Sequence, residues 1–334
     1  MQTKLWRVII ISLVIYGLSV FQLSAQQAKP SFVQYIEQLK FEAQQQGFSP
    51  ALVEQAFSQV QYHQRAVKAD KNQPERKITL DTYLQTRVPD WKVKQGVELY
   101  SQHRELLEQV GQKYGVQPRF IVALWGNESN FGKFTGNYPV ISALSTMAYE
   151  GRRESFFKKQ LFAALTILQQ GHINQQDFLG SWAGAMGQSQ FMPTSFLAYA
   201  VDFDGDGKKD IWSNPADVFA SIANYLQQEG WSDEITWGRQ VKLPAGFDLT
   251  LAGLDKNKMK PLSQWQTLGV RRYDGSALPD MALDASLIMP DDEKGRIYLV
   301  YSNFHTLMRW NRSTYFGSAV SYLSDRIKKE LTNV

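Results

Sequence analysis

The sequence predicts a mainly α chain, of the α+β class, with one small β-rich insert near its C-terminal end. Three observations predict it. Apolar residues recur at helical spacing through most of the chain between Phe32 and Trp231, and again from Phe316 to Leu331. Between 236 and 300 the pattern turns to Gly, Pro and short alternating runs, such as Gln240-Val241-Lys242-Leu243 and Arg296-Ile297-Tyr298-Leu299-Val300. The chain has 334 residues, 43% hydrophobic and 20% charged, which is ordinary globular composition with length for two or three domains.

Taken in order, Lys4 and Arg7 precede an apolar stretch from Val8 to Leu23, which ends in Leu23-Ser24-Ala25. Residues 1–25 therefore have the form of a secretory signal peptide. The bulk of Leu23 leaves an uncleaved membrane anchor open. Residues 30–86 read as an N-terminal helical domain. In it Phe32, Tyr35, Ile36 and Leu39 form one helix closed at Gly47, and Ser49-Pro50 opens a second with Leu52, Val53, Ala56, Phe57 and Val60 on one face. Lys68 to Lys77 is charged and reads as a solvated connector. Residues 87–235 form the next unit: a long helical pattern from Trp91 to Tyr114, a helix from Pro118 to near Gly132, another from Arg153 to Gln170, and a helix-loop-helix from Pro193 to Trp231. The β-rich insert occupies 236–300, and 301–334 returns the chain to helix.

Composition excludes several functions. A net charge of +4 without a basic stripe does not argue for nucleic acid. The absence of Cys removes disulfides, thiolate catalysis, cysteine-based zinc sites and a lipid-attached Cys, so this is not a lipoprotein. Four His supply no HExxH site. Nine Trp, fifteen Tyr and nineteen Phe suit a carbohydrate groove, although core packing accounts for most of them.

Within Phe120 to Gly132, Ile121, Leu124, Trp125 and Glu128 are spaced i, i+3, i+4, i+7 and share one helical face. A carboxylate at the end of an apolar stripe has its pKa raised by burial, and the partial negative charge of a helix C-terminus acts in the same direction. Both would hold Glu128 protonated near neutral pH, as a general acid requires. Periodicity equally allows Glu128 to cap the stripe at its solvent edge.

Glu128-Ser129 followed by Phe131-Gly132 resembles the catalytic Glu-Ser motif of lytic transglycosylases. Gly184-Ala185-Met186-Gly187-Gln188-Ser189-Gln190-Phe191-Met192-Pro193-Thr194-Ser195 resembles the GAMGxxQFMPxS segment of the lytic murein transglycosylase B family, of glycoside hydrolase family 103 type. Asn214-Pro215-Ala216-Asp217, Ser221 to Tyr225, and Trp310-Asn311-Arg312-Ser313 resemble its later blocks. Ordered motifs over residues 30–330 are far more specific than any one of them.

The resemblance implies a lysozyme-like catalytic core over 87–235, with 301–334 completing the groove. It implies non-hydrolytic cleavage of the β-1,4 bond between N-acetylmuramic acid and N-acetylglucosamine in peptidoglycan, leaving a 1,6-anhydromuramoyl end. Glu128 would be the single catalytic acid/base, and no second catalytic carboxylate stands out. Glu150 and Glu154 read as solvated ion pairs with the neighbouring Arg152 and Arg153. Ser181, Gln190, Phe191, Tyr225, Trp310, Asn311, Phe156, Phe316 and Tyr83 fall at substrate-binding positions. Trp310, Phe316 and Phe156 stand where the family favours Tyr, and Tyr315 is an alternative source of a hydroxyl. Ser181 is equally a helix N-cap, and Phe191 and Tyr225 are equally core residues.

Asp202-Phe203-Asp204-Gly205-Asp206-Gly207-Lys208 has the spacing of an EF-hand calcium loop: carboxylates at positions 1, 3 and 5, Gly at 6 and a carbonyl, that of Lys208, at 7. Position 12 is Ser213, so Asp217 is the expected closing ligand and Asp210 a water-bridged ligand or turn cap. The expectation is a structural Ca2+ and no organic cofactor; a solvated acidic turn is the alternative. The expected partner is the peptidoglycan glycan strand, in the periplasm, for an exported monomer that is soluble or anchored through its N-terminus; cell-wall enzyme complexes stay open. A hydrolytic muramidase and a non-catalytic, calcium-stabilised wall-binding protein are the competing readings.

Overall fold

A computed structural model describes residues 29–71 and 78–332. The predicted export segment lies outside them. Helix α1 (Phe32–Gln45) opens on a capping box between Ser31 and Gln34, and Gly47 closes it in the left-handed region at φ 91°. Ser49 caps α2 (Pro50–Phe57). The predicted connector is in part a helix, α3 (Gln64–Lys71), which buries Ala66 and Val67. Its Asp70 accepts hydrogen bonds from Arg152 at 2.8 Å and Arg153 at 3.1 Å, so long-range pairing compensates a segment that reads as solvated. Helix α4 (Leu80–Arg87) follows.

The long helix predicted over 91–114 is two, α5 (Asp90–Gln102) and α6 (Arg104–Tyr114), broken at His103 (φ −105°, ψ 19°). The His103 ring stands edge-on to Trp125 and Phe219, so the apolar face continues across the break and periodicity does not register it. Helix α7 (Pro118–Ser129) comes next, then α8 (Val140–Glu150) and α9 (Glu154–Gln169). Helix α8 was not expected from the pattern. Val140 to Ala148 are all buried, which leaves no polar face to set a period. Strands β1 (Tyr138–Pro139) and β2 (Leu179–Gly180) pair antiparallel, and α10 (Pro193–Tyr199) and α11 (Pro215–Gln228) flank the acidic loop.

The insert is the expected β-rich unit. It holds β3 (Gly238–Lys242), β4 (Lys260–Pro261), α12 (Leu262–Thr267), β5 (Arg271–Arg272), β6 (Asp284–Ile288), β7 (Pro290–Glu293) and β8 (Tyr298–Val300). Five of these strands form an antiparallel sheet in the order β4-β6-β8-β3-β5, with Leu287 opposite Leu299 and Arg239 opposite Leu299 on the other side. Its strands alternate between two cores. Tyr298, Val300 and Ile288 join the main helical core, whereas Leu287, Leu299 and Val241 face a second core around Trp265. Helices α13 (Ser302–Trp310) and α14 (Thr314–Thr332) complete the fold.

Helix α7 is the centre of this arrangement, packed by α5, α6, α11 and α14. Phe120, Ile121, Val122, Leu124 and Trp125 are buried, each contributing about 1.5–3 kcal/mol. Among the described residues no helix is long and apolar enough to cross a membrane.

Candidate active site

The last turn of α7 presents Glu128. The helix stops there because Asn130 (φ 51°) and Phe131 (φ 60°) both turn left-handed, which brings Phe131 back edge-on to Trp125. Gly126 permits this return: a Cβ at that position would lie 2.7 Å from Phe131 Cε1. Ser129 is buried and its Oγ accepts the Gly132 amide at 3.0 Å, closing the turn. The neighbouring carboxyl group sits at the edge of the core, and burial pushes its pKa up to about 7. The Trp310 indole opposes this shift by donating from Nε1 to Glu128 Oε1 at 2.6 Å. No second carboxylate contributes to the shift.

Trp310 ends α13 and stands in an aromatic group. Its ring lies 5.3 Å from Phe191 and 4.6 Å, edge-on, from Tyr225, which in turn lies 4.5 Å from Tyr199. Phe191 and Tyr225 are buried, and Trp310 is half-buried. Tyr83 of α4 is half-buried and packs edge-on to Tyr315 at 5.4 Å. Burial raises its phenol pKa, and the nearby Glu128 carboxylate adds to the rise. The hydroxyl of Tyr315 is engaged by Asp291 and by the Ile78 carbonyl.

The glycine-rich segment folds into a tight double turn. Met186 bridges Gly180 on one side and Phe191 on the other. Ser181 is no helix cap. Its Oγ accepts the Ala185 amide at 3.0 Å, across a turn. Gln190 is left-handed (φ 50°), and its Nε2 donates to Thr135 O and Gly187 O at 3.1 and 2.8 Å. Gln188, which the sequence did not single out, joins Trp125 Nε1 to Trp212 O at 2.8 and 2.9 Å and so ties the turn to α7. A polar residue within a matched motif was the available signal.

Other expected groove residues stand differently. Asn311 is exposed, with Oδ1 accepting the Ser313 amide ahead of α14. Phe316 is buried in the helical core. Phe156 is 42% exposed, beside Phe157 and under Arg153. Glu150 and Glu154 do not pair with Arg152 and Arg153. Instead Tyr62 donates to Glu150 at 2.6 Å and Tyr35 to Glu154 at 2.8 Å, because both arginines turn to the buried Asp70.

In the acidic loop, Asp202, Asp204 and Asp217 bring carboxylate oxygens within 4.8 Å of one another. Asp217 is fully buried on α11, where it accepts the Phe203 and Asp210 amides at 2.7 and 2.6 Å. Burial, with Asp204 and Asp202 adding to it, pushes the Asp217 pKa up to about 6. Asp206 accepts the Lys208 amide at 2.8 Å, and Asp210 caps the turn through Trp212 and Ser213. Among the described residues none of these carboxylates is in an ion pair. Hard oxygen donors with unneutralised charge fit a calcium ion.

Residues 31–325 match the family described as the transglycosylase SLT domain. The chain belongs to this family. It is 33% identical over 246 residues to the membrane-bound lytic murein transglycosylase B of Escherichia coli (strain K12), an alignment covering 72% of this chain and 64% of that protein. It thus spans a little under two thirds of that relative's length. SltB3 from Pseudomonas aeruginosa, solved in complex with NAG-anhNAM-pentapeptide, superposes with a TM-score of 0.86 at 43% identity, over 89% of this chain and 80% of that one. The Escherichia coli lytic transglycosylase Slt35, solved in complex with calcium, superposes with a TM-score of 0.76 at 28% identity, over 91% and 94%. The family fold accounts for the mainly helical, lysozyme-like architecture with its small sheet.

Proposed function

We propose that this transglycosylase-family protein cleaves peptidoglycan glycan strands at the MurNAc-GlcNAc bond without water, leaving 1,6-anhydromuramoyl ends, in turnover or remodelling of the wall. The observation that carries the reading is one carboxyl group, Glu128, whose pKa burial lifts to about 7 and which receives a 2.6 Å hydrogen bond from Trp310, itself packed with Phe191 and Tyr225. Glu128 donates its proton to the glycosidic oxygen as the bond from C1 of the muramoyl ring breaks. The N-acetyl oxygen of the same ring supports C1. Glu128, now a carboxylate, takes the proton of the C6 hydroxyl while that oxygen bonds to C1. The proton is regained, and water is not consumed. A group that acts as acid and then as base is best poised near the working pH, which burial and the opposing Trp310 bond achieve together. Among the described residues no second carboxylate perturbs Glu128, which speaks against two-carboxylate glycosidase chemistry. The SltB3 complex with an anhydromuramoyl ligand supports the product assignment.

The aromatic faces of Trp310 and Tyr83, backed by the buried Phe191 and Tyr225, line the sugar path, with Gln190, Asn311 and the exposed Phe156 as further contacts, while Phe316 lies in the core behind them. The Ser181 hydroxyl retains its proton for the N-acetyl group or for Glu128. Asp202, Asp204, Asp206, the Lys208 carbonyl and Asp217 would hold a Ca2+ that clamps α11 to the glycine-rich turn. Residues 30–86, 87–235, 236–300 and 301–334 act as N-terminal helical domain, catalytic core, β-rich domain and groove-completing segment, exported to the periplasm as a monomer, with segment 1–25 as leader or anchor.

The test is the mass of muropeptides released from sacculi by the native chain and by Glu128→Gln. The expected product from the native chain is lighter by one water than the hydrolytic product, and Glu128→Gln releases none. A product with a reducing end would establish a muramidase. Cleavage retained in Glu128→Gln would remove Glu128 from the role.

A further inference from the structure

The β-rich insert reaches back to α4 through two side chains, Asp291 and Arg296. Asp291 lies on β7, just before Asp292, which is left-handed at φ 59°. Its Oδ2 accepts the Leu80 amide, the first of α4, at 2.6 Å. Its Oδ1 accepts the Tyr315 hydroxyl. The same O–H is shared with the Ile78 carbonyl, 3.0 Å from Oη, so one carboxylate and one phenol gather the start of α4 and the first turn of α14. A second strut runs parallel: Arg296 Nε meets Asp81 Oδ1 at 2.6 Å. Thr79, the cap of α4 itself, satisfies only the Thr82 amide. The Leu80 amide has no partner within its helix, and a carboxylate there also suits the positive end of the helix dipole.

Helix α4 carries Tyr83 one turn beyond this anchor, and Tyr83 rests edge-on against the same Tyr315 ring at 5.4 Å. Gly295 makes the anchor feasible. A Cβ there would fall 2.5 Å from Asp291 Cβ and 3.2 Å from its Oδ2.

We propose that Asp291 is a positioning residue, through which the β-rich insert sets Tyr83 and the Tyr315 ring beneath it as one wall of the groove. The insert then belongs to the substrate site rather than being appended to it. Asp291 touches neither substrate nor Glu128. It acts by fixing the two elements on which the wall is built. That this wall meets a glycan rests on the function proposed above.

The experiment uses the full chain with Asp291→Ala, and Gly295→Ala as an independent way of displacing the same carboxylate. Amide hydrogen exchange is expected to quicken at Leu80 to Tyr83 by about tenfold or more, with α7 unchanged. On glycan strands, KM should rise about three- to tenfold with kcat little altered, whereas loss of folded protein would lower kcat at constant KM. In a cycle with Tyr83→Ala, the double variant Asp291→Ala, Tyr83→Ala should be no worse than Tyr83→Ala. Unchanged exchange in α4, or losses that multiply in the cycle, would overturn the proposal. If the native chain released no product, the functional reading would fall, while exchange in α4 would still decide the anchor.

Discussion

Glu128 and Trp310 are 182 positions apart in sequence and 2.6 Å apart in space. Their bond tunes the proposed acid. A hydrogen bond to the carboxylate favours the charged form, so Trp310→Phe should raise the Glu128 pKa above about 7. The alkaline limb of the pH–rate profile should then move to higher pH, beside a fall in rate; a downward move would contradict the assignment. The folded pKa lies above the ordinary 4.5, so the contribution of Glu128 is fully present below pH 4.5 and is lost as pH rises towards about 7. Glu128→Gln, which cannot ionise, should therefore exceed the native chain in stability at pH 8, by about 1–3 kcal/mol, and the gap should close in acid. Denaturant titrations at the two pH values measure it.

At the scale of elements, the acidic loop, α11 and the glycine-rich turn form one device. Asp217 on α11 holds two loop amides, and the turn reaches α7 through Gln188 and Trp125. A bound cation would neutralise three converging carboxylates, one of them buried. Calcium at about a hundred times its Kd should add about 2.7 kcal/mol to stability. For a chain of this length that corresponds to a Tm rise of about 4 °C, reversed by a chelator. Thermal scans of the native chain and of Asp217→Asn check this: a calcium-induced rise of equal size in Asp217→Asn would remove Asp217 from the ligand set.

At the scale of the whole molecule, two cores meet along one sheet, and the junction is reinforced by buried polar groups. Asn303 at the start of α13 is fully buried. It accepts the Ser232 amide at 2.9 Å and donates to the Ser232 and Ile235 carbonyls at 2.7 and 2.9 Å. Removing it strands three backbone groups, so Asn303→Ala should cost about 2–4 kcal/mol in denaturant unfolding. A loss below about 0.5 kcal/mol would mean that these groups find other partners, such as water.

The mainly helical class, the β-rich insert, the helix that carries Glu128 and the acidic loop were all legible in the sequence, although that helix stops at Ser129, short of the expected Gly132. Each is written in local signals: apolar spacing, Ser49-Pro50 and Pro118 at helix starts, alternation near 240 and 298, and carboxylates at alternate positions. The ordered motifs around Glu128 and Gly184 also carried the family. Local signals failed where a segment is buried on all sides, as in α8, or where an apolar face runs on through a break, as at His103. Which groups meet is set by the packed chain. The indole on Glu128, the arginines on Asp70 and the insert carboxylate on α4 join positions 82 to 211 residues apart. Hydrogen bonds and ion pairs of this reach leave no period in the chain. They depend on where packing brings the elements together, and that is settled by the fold as a whole.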